Sequence, residues 1–210
     1  MSKIKADRSI LVFDYDGVLA DTEPLHWASW NTLLAPYQIE LTWEQYCRYC
    51  RGVADSRMRN ALVGIFPQAA DLTDLAPYLA ARKQEVRAAS LARSPILQKT
   101  VEMLLKLSDY RLGLVTSAER AEVEPVLRGA NIQACFEACI FGDDVSRHKP
   151  APDPYLAVAA RMSVATGIAF EDSDAGMASA IAAGFHAIRI DLPESLPEAV
   201  SKVLGLPHPA

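Results

Sequence analysis

Asp14 and Asp16 stand one residue apart, directly behind the apolar run of residues 9–13 and in front of Gly17. Alternation along an extended chain turns both carboxylates to one side, where they can share a cation or a substrate. Adjacent acids recur at Glu171 and Asp172, behind residues 167–170. Between these pairs lie the hydroxyls of Thr116 and Ser117 and a lysine in a rigid loop, His148-Lys149-Pro150-Ala151-Pro152-Asp153. Acids converging from two strands would repel each other strongly unless a cation sat among them. Hard carboxylate oxygens with room for water and phosphate suit Mg²⁺. Hydroxyls and free amides at a helix N-terminus favour bound phosphate, although Ser117 would equally well cap that helix. Lys149 adds positive charge opposite an anion. Together these groups describe a phosphoryl-transfer site.

Such a site needs a scaffold that brings the ends of several strands together. Apolar segments at residues 10–13, 112–116, 138–141, 167–170 and 186–190 read as strands. From the second onward they alternate with helical stretches at 119–129, 153–161 and 174–183. That alternation implies right-handed crossovers and an α/β, Rossmann-like, doubly wound parallel sheet. Ligands of such sheets bind at the carboxyl ends of the strands, where all four motifs fall. Residues 21–93 contain no convincing strand and read as helices at 24–34, 43–51, 56–65 and 75–89, punctuated by Pro36, Pro67 and Pro77. The expectation is a core of residues 1–20 with 94–210, interrupted by an all-helical cap of 21–93. A block inserted just behind candidate catalytic acids can serve as a lid.

Composition narrows the field. A formal charge of −5 lacks the basic footprint of a nucleic-acid binder. No apolar run approaches the ~20 residues of a membrane span, so a cytoplasmic protein is expected, and the phosphoryl-transfer reading makes a small phosphorylated metabolite the expected partner of a monomer or weak homodimer. Lys3, Lys5 and Arg8 resemble the start of a signal peptide, but Asp14 ends the apolar run too early for one. Cys47 and Cys50 have CxxC spacing without a second ligand pair, so ordinary thiols are expected there rather than zinc.

The ordered set Asp14-x-Asp16-Gly17, Thr116-Ser117, Lys149-Pro150 and Glu171-Asp172-Ser173 resembles the haloacid dehalogenase superfamily. The helical insert is similar to the branch that contains β-phosphoglucomutase and many sugar-phosphate phosphatases. The resemblance implies that Asp14 is the nucleophile and Asp16 the general acid and base. Thr116, Ser117 and Lys149 would hold the phosphoryl oxygens. Mg²⁺ would be held by Asp14, the backbone carbonyl of Asp16, Glu171 and Asp172. Other branches use a carboxylate four residues after Asp172; here that position is Gly176, and Glu171 is implied to replace it. Dehalogenation is disfavoured, because a halide leaving group needs no proton from Asp16.

In this branch substrate choice lies in the cap, which makes His26, Gly52, Arg57 and Lys83 the candidate substrate-binding residues. Where the mutases have an arginine for the distal phosphate, this chain has Asp55, with Arg57 two residues on. An acid there would repel phosphate. The plainer reading of Arg51, Arg57, Arg59, Arg82 and Lys83 is a solvated helix face, and that of His26 is helix packing beside Trp27 and Trp30. The expected activity is a Mg²⁺-dependent phosphatase. Its rivals are a sugar phosphomutase with the same core residues and a non-catalytic binding protein on the same scaffold.

Overall fold

The computed structural model describes residues 9–51, 55–72 and 75–207. In chain order the elements are β1 (Ile10–Phe13), α1 (Glu23–Leu34), α2 (Trp43–Tyr49), α3 (Asp55–Ile65), α4 (Ala76–Ala92), α5 (Gln98–Lys106), β2 (Arg111–Val115) and α6 (Arg120–Gly129). There follow β3 (Phe136–Ile140), α7 (Asp153–Met162), β4 (Ile168–Glu171), α8 (Asp174–Ala182), β5 (His186–Arg189) and α9 (Leu196–Leu204). Contacts divide the chain into two compact units, Met1–Asp21 with Ser94–Ala210, and Thr22–Arg93.

The first unit is a parallel sheet in the order β3-β2-β1-β4-β5, so the first strand lies at its centre. Every residue of β1 is buried, as a strand covered on both faces requires. Alternation sorts its side chains. Leu11 and Phe13 join a cluster with Leu104 of α5, Val123 and Leu127 of α6, and Leu196 and Val200 of α9. Ile10 and Val12 point the other way, into Tyr155, Val158 and Met162 of α7 and Ala180 of α8. Phe13 and Phe170 stack with centroids 5.0 Å apart and planes 10° from parallel. Burying each large apolar side chain contributes about 1.5–3 kcal/mol.

The second unit, the helical cap, has an apolar centre of its own built on Trp30, Leu34, Leu41, Met58 and Leu62. Asn31 clasps Leu41 from both sides, accepting from its amide and donating to its carbonyl at 2.9 Å each. A reciprocal Thr42–Gln45 capping box starts α2. Helices α5 and α9 are additions to the sequence reading. No helix among the described residues is long and apolar enough to cross a membrane.

Candidate active site

The register of the central strands assembles the acids. Val12 lies opposite Ala169 and Phe13 opposite Phe170, and the Asp14 amide donates to the Phe170 carbonyl at 3.0 Å. One step further along, Asp14 therefore meets Glu171. Gly17 has φ +74°, and a Cβ there would lie 2.3 Å from Oδ2 of Asp172. Only glycine allows both that turn and that approach. One oxygen each of Asp14, Glu171 and Asp172 lie within 4.8 Å of one another. The side chain of Asp16 is outside that group; its expected ligand was the backbone carbonyl.

Lys149 reaches the same point from the loop before α7. Its side chain is 6% exposed, and Nζ lies 2.8 Å from Oδ1 of Asp14, 2.6 Å from Oε1 of Glu171 and 3.2 Å from the Val115 carbonyl. Ser179 of α8 anchors the loop by donating to the Ala151 carbonyl at 2.6 Å. Burial alone would lower the affinity of Lys149 for its proton, but the Asp14 and Glu171 carboxylates outweigh it and hold the ammonium above the ordinary lysine range. Glu171 is fully buried. Burial pushes its carboxyl upward and the charge of Asp14 adds to that, against the opposing pull of Lys149 and Tyr155.

These residues fit a divalent cation. The donors are all hard carboxylate oxygens. Lys149 offsets one unit of charge where three carboxylates converge. Oε2 of Glu171 is buried with no hydrogen-bond partner, a costly state that a cation would relieve. A Cβ on Gly176 would fall 1.9 Å from that oxygen. The Glu171 carboxylate thus abuts position 176, where other branches carry their own acid.

Thr116 is buried, and its Oγ1 accepts from the Ala118 amide at 3.0 Å, shaping the turn behind β2. Ser117 is exposed in that turn and does not cap α6. The N-cap is Glu119, whose amide donates to Glu122 at 3.0 Å. The helix begins too late for Ser117 to reach its first amides as a cap.

A sequence profile of haloacid dehalogenase-like hydrolases matches residues 11–190. The chain belongs to that family. Among relatives of this haloacid dehalogenase-like hydrolase is the fructose-1-phosphate phosphatase YqaB of Escherichia coli, 30% identical over 87% of this chain and 96% of that protein. Another is a phosphorylated carbohydrates phosphatase of Thermotoga maritima, 30% identical over 85% of this chain and 82% of its own length. The solved β-phosphoglucomutase of Clostridium difficile has a TM-score of 0.70, covering 94% of this chain and 97% of that one. At 17% identity it speaks for the fold alone.

The cap of this haloacid dehalogenase-like hydrolase distributes its charges differently from the sequence reading. Arg82 is buried at 5% exposure, not on a solvated face. Its guanidinium lies 4.7 Å from the Trp30 ring, and Nη1 is 3.2 Å from Nδ1 of His26 and 3.1 Å from Oγ of Ser29. The helical phase of α4 turns this residue onto α1, where an aromatic face and two polar atoms receive it. Arg59 is likewise engaged, donating at 2.7 Å to the carbonyls of Leu72 and Ala70. Lys83 is exposed and His26 half-buried. Arg57 falls within the first turn of α3, and Gly52 lies outside the described residues. Glu23 accepts from the Tyr46 hydroxyl at 2.6 Å and faces Arg51 at 3.7 Å. Cys47 and Cys50 are free thiols, the first exposed and the second buried.

The site also holds a polar residue that the motifs did not single out. Tyr155 is fully buried, and its hydroxyl donates to Oε1 of Glu171 at 2.7 Å. Burial and the neighbouring carboxylates hold its phenol well above the ordinary tyrosine range, so it stays a donor. It belongs to none of the sequence motifs, and no local spacing ties it to Glu171.

Proposed function

We propose that this protein is a Mg²⁺-dependent phosphatase that hydrolyses a small phosphorylated metabolite, a sugar phosphate, through an aspartyl-phosphate intermediate. The observation that carries this reading is the buried Asp14 carboxylate at the carboxyl edge of the sheet, with the Lys149 ammonium at 2.8 Å and two further acids within reach of a shared cation. Asp14 attacks phosphorus, and the ester P–O bond breaks as the acyl phosphate forms. Asp16 gives its proton to the departing alkoxide oxygen. It then takes one from the water that releases inorganic phosphate and restores Asp14. Thr116, Ser117 and Lys149 hold the phosphoryl oxygens. Asp14, Glu171, Asp172 and the Asp16 carbonyl would hold Mg²⁺, which supplies charge neutralisation at the transferring group. His26, Gly52, Arg57 and Lys83 are assigned to substrate choice.

The sugar-phosphate class rests on the two phosphatase relatives. The test is phosphate release from a panel of sugar phosphates with Mg²⁺, then with EDTA, then with Mg²⁺ restored. Turnover lost on chelation and recovered on re-addition is expected. Conversion of β-glucose 1-phosphate to glucose 6-phosphate, primed by the bisphosphate, would make the protein a mutase instead.

A further inference from the structure

Glu171 has two oxygens in different circumstances. Oε1 accepts from Tyr155 at 2.7 Å and lies 2.6 Å from the Lys149 ammonium. Oε2 is buried, has no hydrogen-bond partner, and lies where any side chain at Gly176 would collide with it. The carboxylate is therefore gripped by one edge, and the other edge is left for a ligand. The two grips differ in kind. Lys149 also touches Asp14 and the Val115 carbonyl, so its ammonium is shared among several acceptors. The Tyr155 ring is fixed in the interior of α7, tilted against Phe185 at 5.4 Å, with the Lys149 ammonium 5.7 Å from its centroid. A hydroxyl on so rigid a ring can hold one oxygen in one place.

We propose that Tyr155 is the positioning residue of the cation site: its hydroxyl holds Oε1 of Glu171 so that Oε2 is kept for the divalent ion, while Lys149 serves the phosphoryl group. This rests on the cation-dependent reading given above. It assigns Tyr155 no contact with substrate. Groups that orient a metal ligand typically change affinity about 10–100-fold when removed.

The experiment is calorimetric titration of Mg²⁺ into the metal-free full-length protein, without substrate, for wild type, Tyr155→Phe and Tyr155→Met. Loss of the hydroxyl should weaken Mg²⁺ binding about tenfold or more in both variants. In steady-state assays the Mg²⁺ concentration for half-maximal rate should rise in parallel, with KM for the ester unchanged. Undiminished Mg²⁺ affinity in the phenylalanine variant overturns the proposal. So does a loss confined to the methionine variant, because the ring rather than the hydroxyl would then matter. If wild type binds Mg²⁺ but hydrolyses no phosphate ester, the phosphatase reading fails. Weakened binding in both variants would still support the role of Tyr155.

Discussion

Adjacent residues part company in both units of this protein, but for different reasons. On β1 of the core, Val12 faces α7 and α8, while Phe13 faces α5, α6 and α9. A two-residue repeat carried on to Asp14 leaves little freedom in where that carboxylate points. On α4 of the cap, Arg82 is buried against α1 and Lys83 beside it is exposed. Each helical residue turns about 100° from the last, so the phase of the whole helix decides which of two neighbouring cations turns inward. A strand-end acid is placed by its strand; a helix-borne cation is placed by its helix's packing.

Substitutions can break or sharpen that contrast. The largest effect is expected at Asp14: Asp14→Asn should lower phosphatase turnover by about 10⁴-fold or more and leave the thermal melt nearly unchanged. Substantial activity in that variant would remove the core site from the comparison. Asp16→Asn should cost about 10²–10⁴-fold in kcat, with Mg²⁺ affinity by calorimetry little altered, because its side chain is outside the acid cluster. Gly176→Ala should leave the sheet folded but weaken Mg²⁺ binding about tenfold or more, since the new methyl displaces the Glu171 carboxylate.

In the cap the effects should be smaller and should divide by burial. Arg82→Met is expected to cost about 1–3 kcal/mol of stability in denaturant melts, through the polar atoms it leaves behind. Lys83→Met should stay within about 0.5 kcal/mol yet raise KM for the preferred ester. If the two stability changes came out equal, helical phase would not be what separates them.

The smallest effect concerns pH. Burial raises the Asp144 carboxyl, but hydrogen bonds from the Phe141 amide, Arg161 and Arg120 outweigh it and leave the group below the ordinary range. A depressed acid stabilises the fold above its unfolded value of about 3.9, and that contribution is lost as pH falls through the folded value. Its arginine partners are 40% and 47% exposed, so screening holds the effect below about 1 kcal/mol. The melting temperature of Asp144→Asn should fall slightly below wild type at pH 7 and converge with it in strong acid.

The strands and the acids that cluster at their ends were legible in the sequence for a shared physical reason. Apolar runs of four or five residues that end in Asp14, Thr116 or Glu171 can hardly be anything but buried strands delivering polar groups to an edge. Helices α5 and α9 were passed over because no chemistry-bearing motif lies beside them, although Pro197 stands in the first turn of α9 and Gly205, at φ +69°, closes it. The order of strands was not legible either, because parallel neighbours are chosen by crossovers rather than by local residues. Arg82 was read as solvated and Tyr155 was passed over because their partners lie far away in the chain: His26 is 56 residues distant and Glu171 is 16.

The close fit of Glu171 against Gly176 also constrains how such a site can evolve. A carboxylate at 176 and a glutamate at 171 compete for one volume, so the two arrangements of acids are alternatives rather than additions. Passage between them cannot proceed through either change alone without a clash or a missing ligand. Positions in contact are strongly non-additive, so a mutational library that varies 171 and 176 together should recover active combinations that single-site libraries miss.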